Sequence, residues 1–349
     1  MCPVTSFLCT ILFLARLGVG GRIDTHFHAL PYQYIDALNT AGGDPSGFTT
    51  PNWTINDAIS SMNAAGSSLG ILSVSSPGVP IAGTEQPARK LARSLNQQLG
   101  NYSIDGRYQS RIGFFGVLPD FQDIDGTLEE IDFLYSQQKL CAGVTVYTSY
   151  GNKLLSDLEF SPIWAKLQSY KALIFMHPSI LDITPMFIAT ALPQPIVDYP
   201  LATTRAAIDL VMNGTIQSHP DIDIILSHAG GTIPYVGTRA IESLGIPEVA
   251  QRVNVNLKQA TNNLQRFYYD IAGSTSAAQL NGLLDFSTPS HVLFGSDFPY
   301  IPQAGIAVQL SSYTNFVETN PRGSLIAPPV LHANAVALLN KHSQGRNYI

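Results

Sequence analysis

Apolar and polar positions along this chain alternate on two scales. Short β-rich runs of seven or eight residues stand at 22–28, 68–75, 112–119, 141–147, 172–178, 222–228, 267–273 and 291–297. Between and after them lie segments with helical spacing. In Gln86–Leu99, residues Leu91, Leu95 and Leu99 recur every fourth position, and in Asp125–Gln138 a stripe is formed by Leu128, Ile131 and Leu134. Asp57–Ala65, Ser161–Tyr170, Thr203–Gln217, Pro234–Leu244, Ser276–Leu284, Gly305–Phe316 and Pro328–Lys341 continue the alternation. Repeated strand–helix units predict a parallel sheet, and eight of them predict closure into a (β/α)₈ TIM barrel. A doubly wound open sheet is the alternative, and it would draw its site from few strand ends.

The ends of four runs carry ligand-type side chains. The first ends in Asp24-Thr25-His26-Phe27-His28, the fifth in His177-Pro178, the sixth in His228-Ala229-Gly230-Gly231 and the eighth in Asp297-Phe298-Pro299. Residues i and i+2 of a strand share a face, so His26 and His28 project together. Two histidines in a surface turn would be the bland alternative, but it does not explain why four runs end alike. Strands one, five, six and eight meet only on the C-terminal rim of a barrel, where barrel enzymes place their chemistry.

Three imidazoles and one carboxylate, from His26, His28, His177 and Asp297, suit a borderline-soft divalent cation and leave room for water or substrate. Zinc is expected, with manganese as the alternative. His228 is the candidate acid/base, a supporting structural role being the alternative. His219 reads as surface, His291 begins its strand at the opposite end, and His332 and His342 lie in the last helix region; none of the four is given a role. Strand four, Gly143-Val144-Thr145-Val146-Tyr147, has no Lys to bridge two metals, which favours one ion.

Composition narrows the class further. The 349 residues are 45% hydrophobic and only 13% charged, with net charge −6. That is ample for a large core, and scattered Lys and Arg give no nucleic-acid surface. Residues 7–15 form an apolar stretch of signal-peptide length, too short for a membrane span. Met1–Ser6 lacks Lys and Arg, however, so residues 1–21 read either as a secretory leader or as an N-terminal extension of a cytoplasmic protein. Residues 22–349 are expected to form the metal-dependent barrel. Cys141 is the single cysteine outside that leader, so no internal disulfide is expected once it is removed. Three glycosylation sequons, at Asn52, Asn101 and Asn213, are few enough to arise by chance.

The motifs Ile23–His28, Phe175–Pro178, Leu226–Gly231 and Phe294–Pro299 resemble the amidohydrolase-related decarboxylases, the group of aminocarboxymuconate semialdehyde and γ-resorcylate decarboxylases. Leu72–Gly78 and Phe160–Ala165 look most like the fungal 6-methylsalicylate decarboxylases of polyketide pathways. The likeness runs over about residues 22–340. It implies His26, His28, His177 and Asp297 as ligands and His228 as catalytic. It also implies Arg239 as a substrate-binding residue that serves the neighbouring site of a homodimer; a helix-surface salt bridge is the alternative for Arg239. The γ-resorcylate branch has Glu where this chain has His26, which leaves the metal open.

The activity so implied is non-oxidative loss of CO₂ from an ortho-hydroxybenzoic acid, of 6-methylsalicylate or orsellinate type, without an organic cofactor. Asp297 and His228 are both candidates for the proton donor. Phe27, Phe298 and Tyr147 are expected to line the ring pocket, and Leu181–Pro200 to form a lid loop. Two other functions fit the same ligands. A mononuclear hydrolase such as a lactonase would activate water, and a non-catalytic metal-stabilised barrel would need no rim base.

Overall fold

The computed structural model describes residues 21–108, 110–138 and 140–343. The leader-like segment therefore lies outside the described residues, apart from Gly21. Eight parallel strands follow one another in sequence order: β1 Arg22–Ala29, β2 Ser67–Val74, β3 Ile112–Gly116, β4 Cys141–Tyr147, β5 Leu173–His177, β6 Asp223–Leu226, β7 Tyr268–Asp270 and β8 Val292–Leu293. The last strand returns to the first. Thr25 N–H donates to the Phe294 carbonyl at 3.0 Å, and His28 N–H to the Phe298 carbonyl at 2.8 Å. A sheet that closes in this way has no exposed edges, which is the barrel and excludes the open sheet.

Strand alternation sorts the apolar side chains into two layers. Ile23, Leu69, Ile71, Phe115, Leu173, Phe175, Ile225 and Leu293 fill the barrel, and Ala335, Leu338 and Leu339 of the last helix close its lower end. The alternate residues, among them Leu72, Phe114, Val144, Ile174, Met176 and Leu226, pack outward against the helices. On β5 the inward positions are Leu173 and Phe175, so His177 continues that face at the top.

Among the described residues the helices of eight residues or more are α1 Tyr32–Thr40, α2 Ile55–Ala65, α3 Gln86–Ile104, α4 Ile124–Gln137, α5 Ser161–Ser169, α6 Gln194–Met212, α7 Ile233–Glu242, α8 Leu257–Leu264, α9 Ala277–Phe286, α10 Gln303–Thr319 and α11 Pro328–Lys341. Local chemistry sets several ends. Thr54 caps α2 by accepting from Asp57 N–H, and Gly66 at φ +67° ends it. Ser276 and Gln279 form a reciprocal capping box on α9. Two of these longer helices and one hairpin went unpredicted. These are α1, α8 (whose buried stripe is only Ala260, Asn263 and Leu264) and the short hairpin of Ser149–Tyr150 with Lys153–Leu154.

The expected lid also differs. Its prolines suggested a loop to residue 200, yet α6 begins at Gln194 with a proline in its first turn and carries Pro200 inside. Proline in a first turn starts a helix rather than breaking one. The irregular part is therefore only residues 181–193. Its two ends are joined by the Gln194 side chain, which accepts from Leu181 N–H and donates to the Leu181 carbonyl, both at 2.9 Å.

Candidate metal centre and active site

His26 and His28 reach the inside of the barrel through an irregularity in β1. The pairing of β1 with β2 slips between Asp24 and Phe27, so both Ile23, below, and His26, above, face inward. Bulges commonly re-aim side chains beside active sites in this way. The room for His26 comes from Gly295, where a Cβ would lie 2.6 Å from the His26 Cβ. Asp24 is buried beneath, and its Oδ1 accepts from Ser296 N–H at 3.0 Å and His26 N–H at 3.3 Å, tying β1 to the chain beyond β8. Burial pushes its carboxyl up to about 7, against the opposing pull of its Ser296 bonds.

Each rim imidazole has its Nδ1 committed. His26 Nδ1 donates to Asp270 Oδ2 at 2.9 Å. His28 Nδ1 faces the Ser73 carbonyl at 3.3 Å and hydroxyl at 3.1 Å. His177 Nδ1 donates to the Pro178 carbonyl at 2.8 Å, and His228 Nδ1 to the Ala272 carbonyl at 2.9 Å. Fixing the proton on Nδ1 leaves Nε2 with a lone pair, the tautomer a metal ligand requires. His26 Nε2 and His28 Nε2 lie 3.1 Å apart, and Asp297 Oδ1 stands 3.4 Å from the first and 3.2 Å from the second. Ligand atoms of His26, His28 and His177 fall within 4.8 Å of one another, as do those of His26, His228 and Asp297.

These distances fit a cation. Two imidazole lone pairs at 3.1 Å repel unless a proton or an ion lies between them. First-row metal–ligand bonds of about 2.0–2.1 Å place neighbouring ligand atoms about this far apart. The electrostatics agree. Burial lowers the His28 imidazole, and burial with the surrounding imidazoles takes His177 well below the ordinary histidine range, so both stay neutral. Burial also acts to lower His26, but Asp270 and Asp297 outweigh it and raise it to about 10. Burial alone would raise Asp297, yet the imidazoles of His26 and His28 hold its carboxylate well below the usual range. The carboxylates of Asp270 and Asp297 thus favour a positive charge at His26, and a metal ion supplies that charge as a proton does.

The cluster forms one end of a cavity of about 460 Å³, lined there by His28, His177, His228 and Asp297. Such a volume takes a small aromatic ligand. The backbone around it is strained. His228, Ala229 and Asp297, none of them glycine, adopt φ of +56°, +56° and +60°, three of seven such residues among those described. Left-handed backbone costs a non-glycine residue free energy and clusters at functional sites.

Three of the expected pocket residues stand elsewhere. Phe27 and Phe298 do not line the cavity; they pack on each other at 5.7 Å in the outer layer. The physical reason for Phe27 is its place between two inward histidines, which turns it outward. Tyr147 is buried, with its phenol against the Val74 and Ser75 carbonyls at 3.2 and 3.3 Å; it backs His177 at 6.4 Å and does not line the cavity. Arg239 is exposed on α7 and is not part of the cavity wall.

Asp270 was missed. Its Oδ2 holds His26, while its Oδ1 accepts from His228 N–H at 3.2 Å and Ala272 N–H at 3.0 Å. One carboxylate thus orients a ligand and the candidate base. The signal was weak, because Asp270 stands in the middle of the seventh run, 267–273, and only the observed strand, Tyr268–Asp270, ends on it. Tyr300, edge-on to His28 at 5.4 Å, and Asp44 also line the cavity and carried no motif.

A closed barrel with an imidazole–carboxylate cluster at its C-terminal rim, able to hold a metal ion, defines a (β/α)₈ protein with its polar site where barrel enzymes place theirs. An amidohydrolase family profile matches residues 23–339, and the chain belongs to the amidohydrolase family. It is 38% identical to a 6-methylsalicylic acid decarboxylase of Penicillium expansum over 85% of this chain and 89% of that one. It is 39% identical to a decarboxylase of Penicillium terrestre, over 80% and 85% of the two chains. The fold is shared with the crystal structure of 5-carboxyvanillate decarboxylase from Novosphingobium aromaticivorans, in complex with manganese and a nitrobenzoic acid. That likeness has a TM-score of 0.79 at 19% identity and covers 92% of this chain and 96% of that one.

Proposed function

We propose that this chain is a metal-dependent carboxy-lyase that removes CO₂ from an ortho-hydroxybenzoic acid of the 6-methylsalicylate or orsellinate type. The observation that carries it is the convergence of the His26 and His28 Nε2 atoms and Asp297 Oδ1 at one end of a ring-sized cavity, with His177 and His228 beside them. The decarboxylase relatives point to the same chemistry.

His26, His28, His177 and Asp297 would hold the divalent ion, zinc or manganese, whose Lewis acidity binds and orients phenolate and carboxylate oxygens. The protein's own part is proton delivery and exclusion of water. Direct loss of CO₂ would leave an aryl anion. Protonation of the carboxylate-bearing ring carbon, assisted by the ortho phenolate, avoids it. The C–C bond electrons then return to the ring as CO₂ leaves, and the donor is reprotonated from solvent. His228 presents Nε2 to the cavity, because its Nδ1 is held by Ala272, and Asp297 stands beside it. These two are the candidate donors; each must first take a proton from solvent, on Nε2 of His228 or on the Asp297 carboxylate, before it can pass one to the ring. The buried walls hold the ring against them.

Three further features belong to this proposal. A homodimer would bring Arg239 to the neighbouring site. This is supported by the absence of Lys and Arg from the cavity wall among the described residues, and by exposed apolar side chains such as Phe187, Ile196 and Leu201 on the lid and α6. The setting is fungal polyketide metabolism. Residues 1–21 would direct secretion if they act as a leader, the alternative being a cytoplasmic protein. No helix among the described residues is long and apolar enough to cross a membrane.

Turnover of 6-methylsalicylate in deuterated water tests the activity. CO₂ and a cresol deuterated at the vacated carbon are expected. Ring opening of a lactone with no action on any salicylate would replace this reading by the hydrolase.

A further inference from the structure

The cavity has a second carboxylate that the proposed chemistry does not use. Asp44 lines it from the loop between α1 and α2, and Asp297 is the other acidic residue of the wall. The wall runs from His28 to Tyr300 at 5.4 Å and on to Phe48 at 5.5 Å, in Asp44's own loop. Phe48, four residues along that loop from Asp44, therefore stands two ring contacts away from the ligand cluster.

Its position is held from several sides. Oδ1 accepts from Ser46 N–H at 2.8 Å, and the Asp44 carbonyl accepts from Gly47 N–H at 3.2 Å. Ser46 is fully buried, and its carbonyl accepts from Gln194 N–H at the start of α6 at 3.3 Å. Gly47 has φ +80°, and Phe187 of the lid packs so closely that a Cβ there would overlap its ring. The carboxylate is thus fixed between loop and lid.

A carboxylate has about four acceptor positions; Asp44 is partly buried, so positions left unfilled carry part of the cost of desolvation. Within one subunit, no Lys or Arg among the described residues lines the cavity or pairs with Asp44, and the Arg239 that a dimer would bring is assigned to the substrate carboxylate. Burial pushes its carboxyl upward, as expected of an anion without a cationic partner. A second anion would be repelled from this end, while a neutral donor would satisfy it. Taking the carboxy-lyase proposal as given, we propose that Asp44 is a specificity-determining residue that accepts a hydrogen bond from a ring hydroxyl remote from the substrate carboxylate. The preferred substrate is then a 2,4-dihydroxybenzoate rather than a monohydroxy acid, and the same charge turns the substrate's carboxylate toward the ligand cluster.

The experiment compares kcat/KM for 2,4-dihydroxy-6-methylbenzoate and 6-methylsalicylate in the wild type, Asp44→Asn and Asp44→Leu, each metal-loaded. Hydrogen bonds to charged groups are worth about 10–100-fold, so the wild type should favour the dihydroxy acid by about tenfold or more. Asp44→Leu should bring that ratio to about one, chiefly through KM of the dihydroxy acid. Asp44→Asn, which keeps an acceptor oxygen and the shape, should give an intermediate ratio. A wild type that prefers 6-methylsalicylate overturns the inference, as does a ratio unmoved in the folded variants, while leaving the carboxy-lyase reading intact. If the wild type decarboxylates neither acid nor any other ortho-hydroxybenzoate, that reading fails and this inference with it.

Discussion

The two ends of the barrel use the same residue types for opposite purposes. At the lower end, His342 spends both ring nitrogens, Nδ1 on the Lys171 carbonyl at 2.6 Å and Nε2 on Asp223 Oδ2 at 2.8 Å. Lys341 joins the same carboxylate oxygen at 2.6 Å, so the end of α11 is clamped to the start of β6. His332 donates to the Gly21 carbonyl at 2.7 Å, and His291 faces the Phe267 carbonyl at 3.1 Å with its ring stacked on Tyr268 at 4.1 Å. At the upper end, every imidazole spends Nδ1 only. The Nε2 atoms of His26 and His28 meet each other and Asp297 instead of a private partner. A histidine with both nitrogens satisfied is structural cement. Histidines that crowd their lone pairs together hold charge that the fold alone leaves unbalanced.

This contrast can be broken in order of expected effect. His177→Ala should lose bound metal and activity together, to background turnover. Elemental analysis beside the decarboxylation assay checks it, and a fully metallated inactive variant would remove His177 from the ligand set. His228→Ala should keep the metal and lose about 10²–10⁴ in kcat, the usual worth of a general acid or base. Loss of metal instead would make His228 a ligand.

Asp270→Asn should weaken metal affinity or activity by about 10–100-fold, since it orients His26 and His228 without being placed in the ligand set. Chelator competition reads the first effect and steady-state kinetics the second. Activity and affinity both within twofold of wild type would contradict the positioning role.

The smallest effect on activity belongs to the lower end. Asp223→Asn should cost about 2 kcal/mol of stability, with little change in kcat/KM. Burial acts to raise the Asp223 carboxyl, but His342 and Lys341 more than offset it, and the group lies below its ordinary value. A carboxylate with a depressed pKa stabilises the fold fully above its unfolded value of about 3.9, and that stabilisation is lost as pH falls through the folded value. The gap in Tm between wild type and variant should therefore be constant near neutrality and close in acid. A gap that widened in acid would mean the clamp does not depend on the carboxylate's charge.

The eight strands were legible in the sequence because each is an apolar run bounded by turn residues, and parallel strands buried on both faces must be apolar throughout. The ligand-type residues were legible because they interrupt that apolarity at the same end of their runs. His26 and His28 on one face follow from the period of two alone. The inward turn of Ile23 and His26 together did not, because a bulge is set by pairing with β2. Nor could local pattern say that Phe27 and Phe298 turn to the outer layer, that α6 begins before Pro200, or that Asp44 faces the cavity. Those depend on which chain segments meet across long sequence separations. Asp270 and His26 are 244 residues apart. Local sequence determined which residues could do chemistry and at which end of each strand. Only tertiary packing decided which lone pairs were left to face one another, because hydrogen-bond partners are assigned by contact in space.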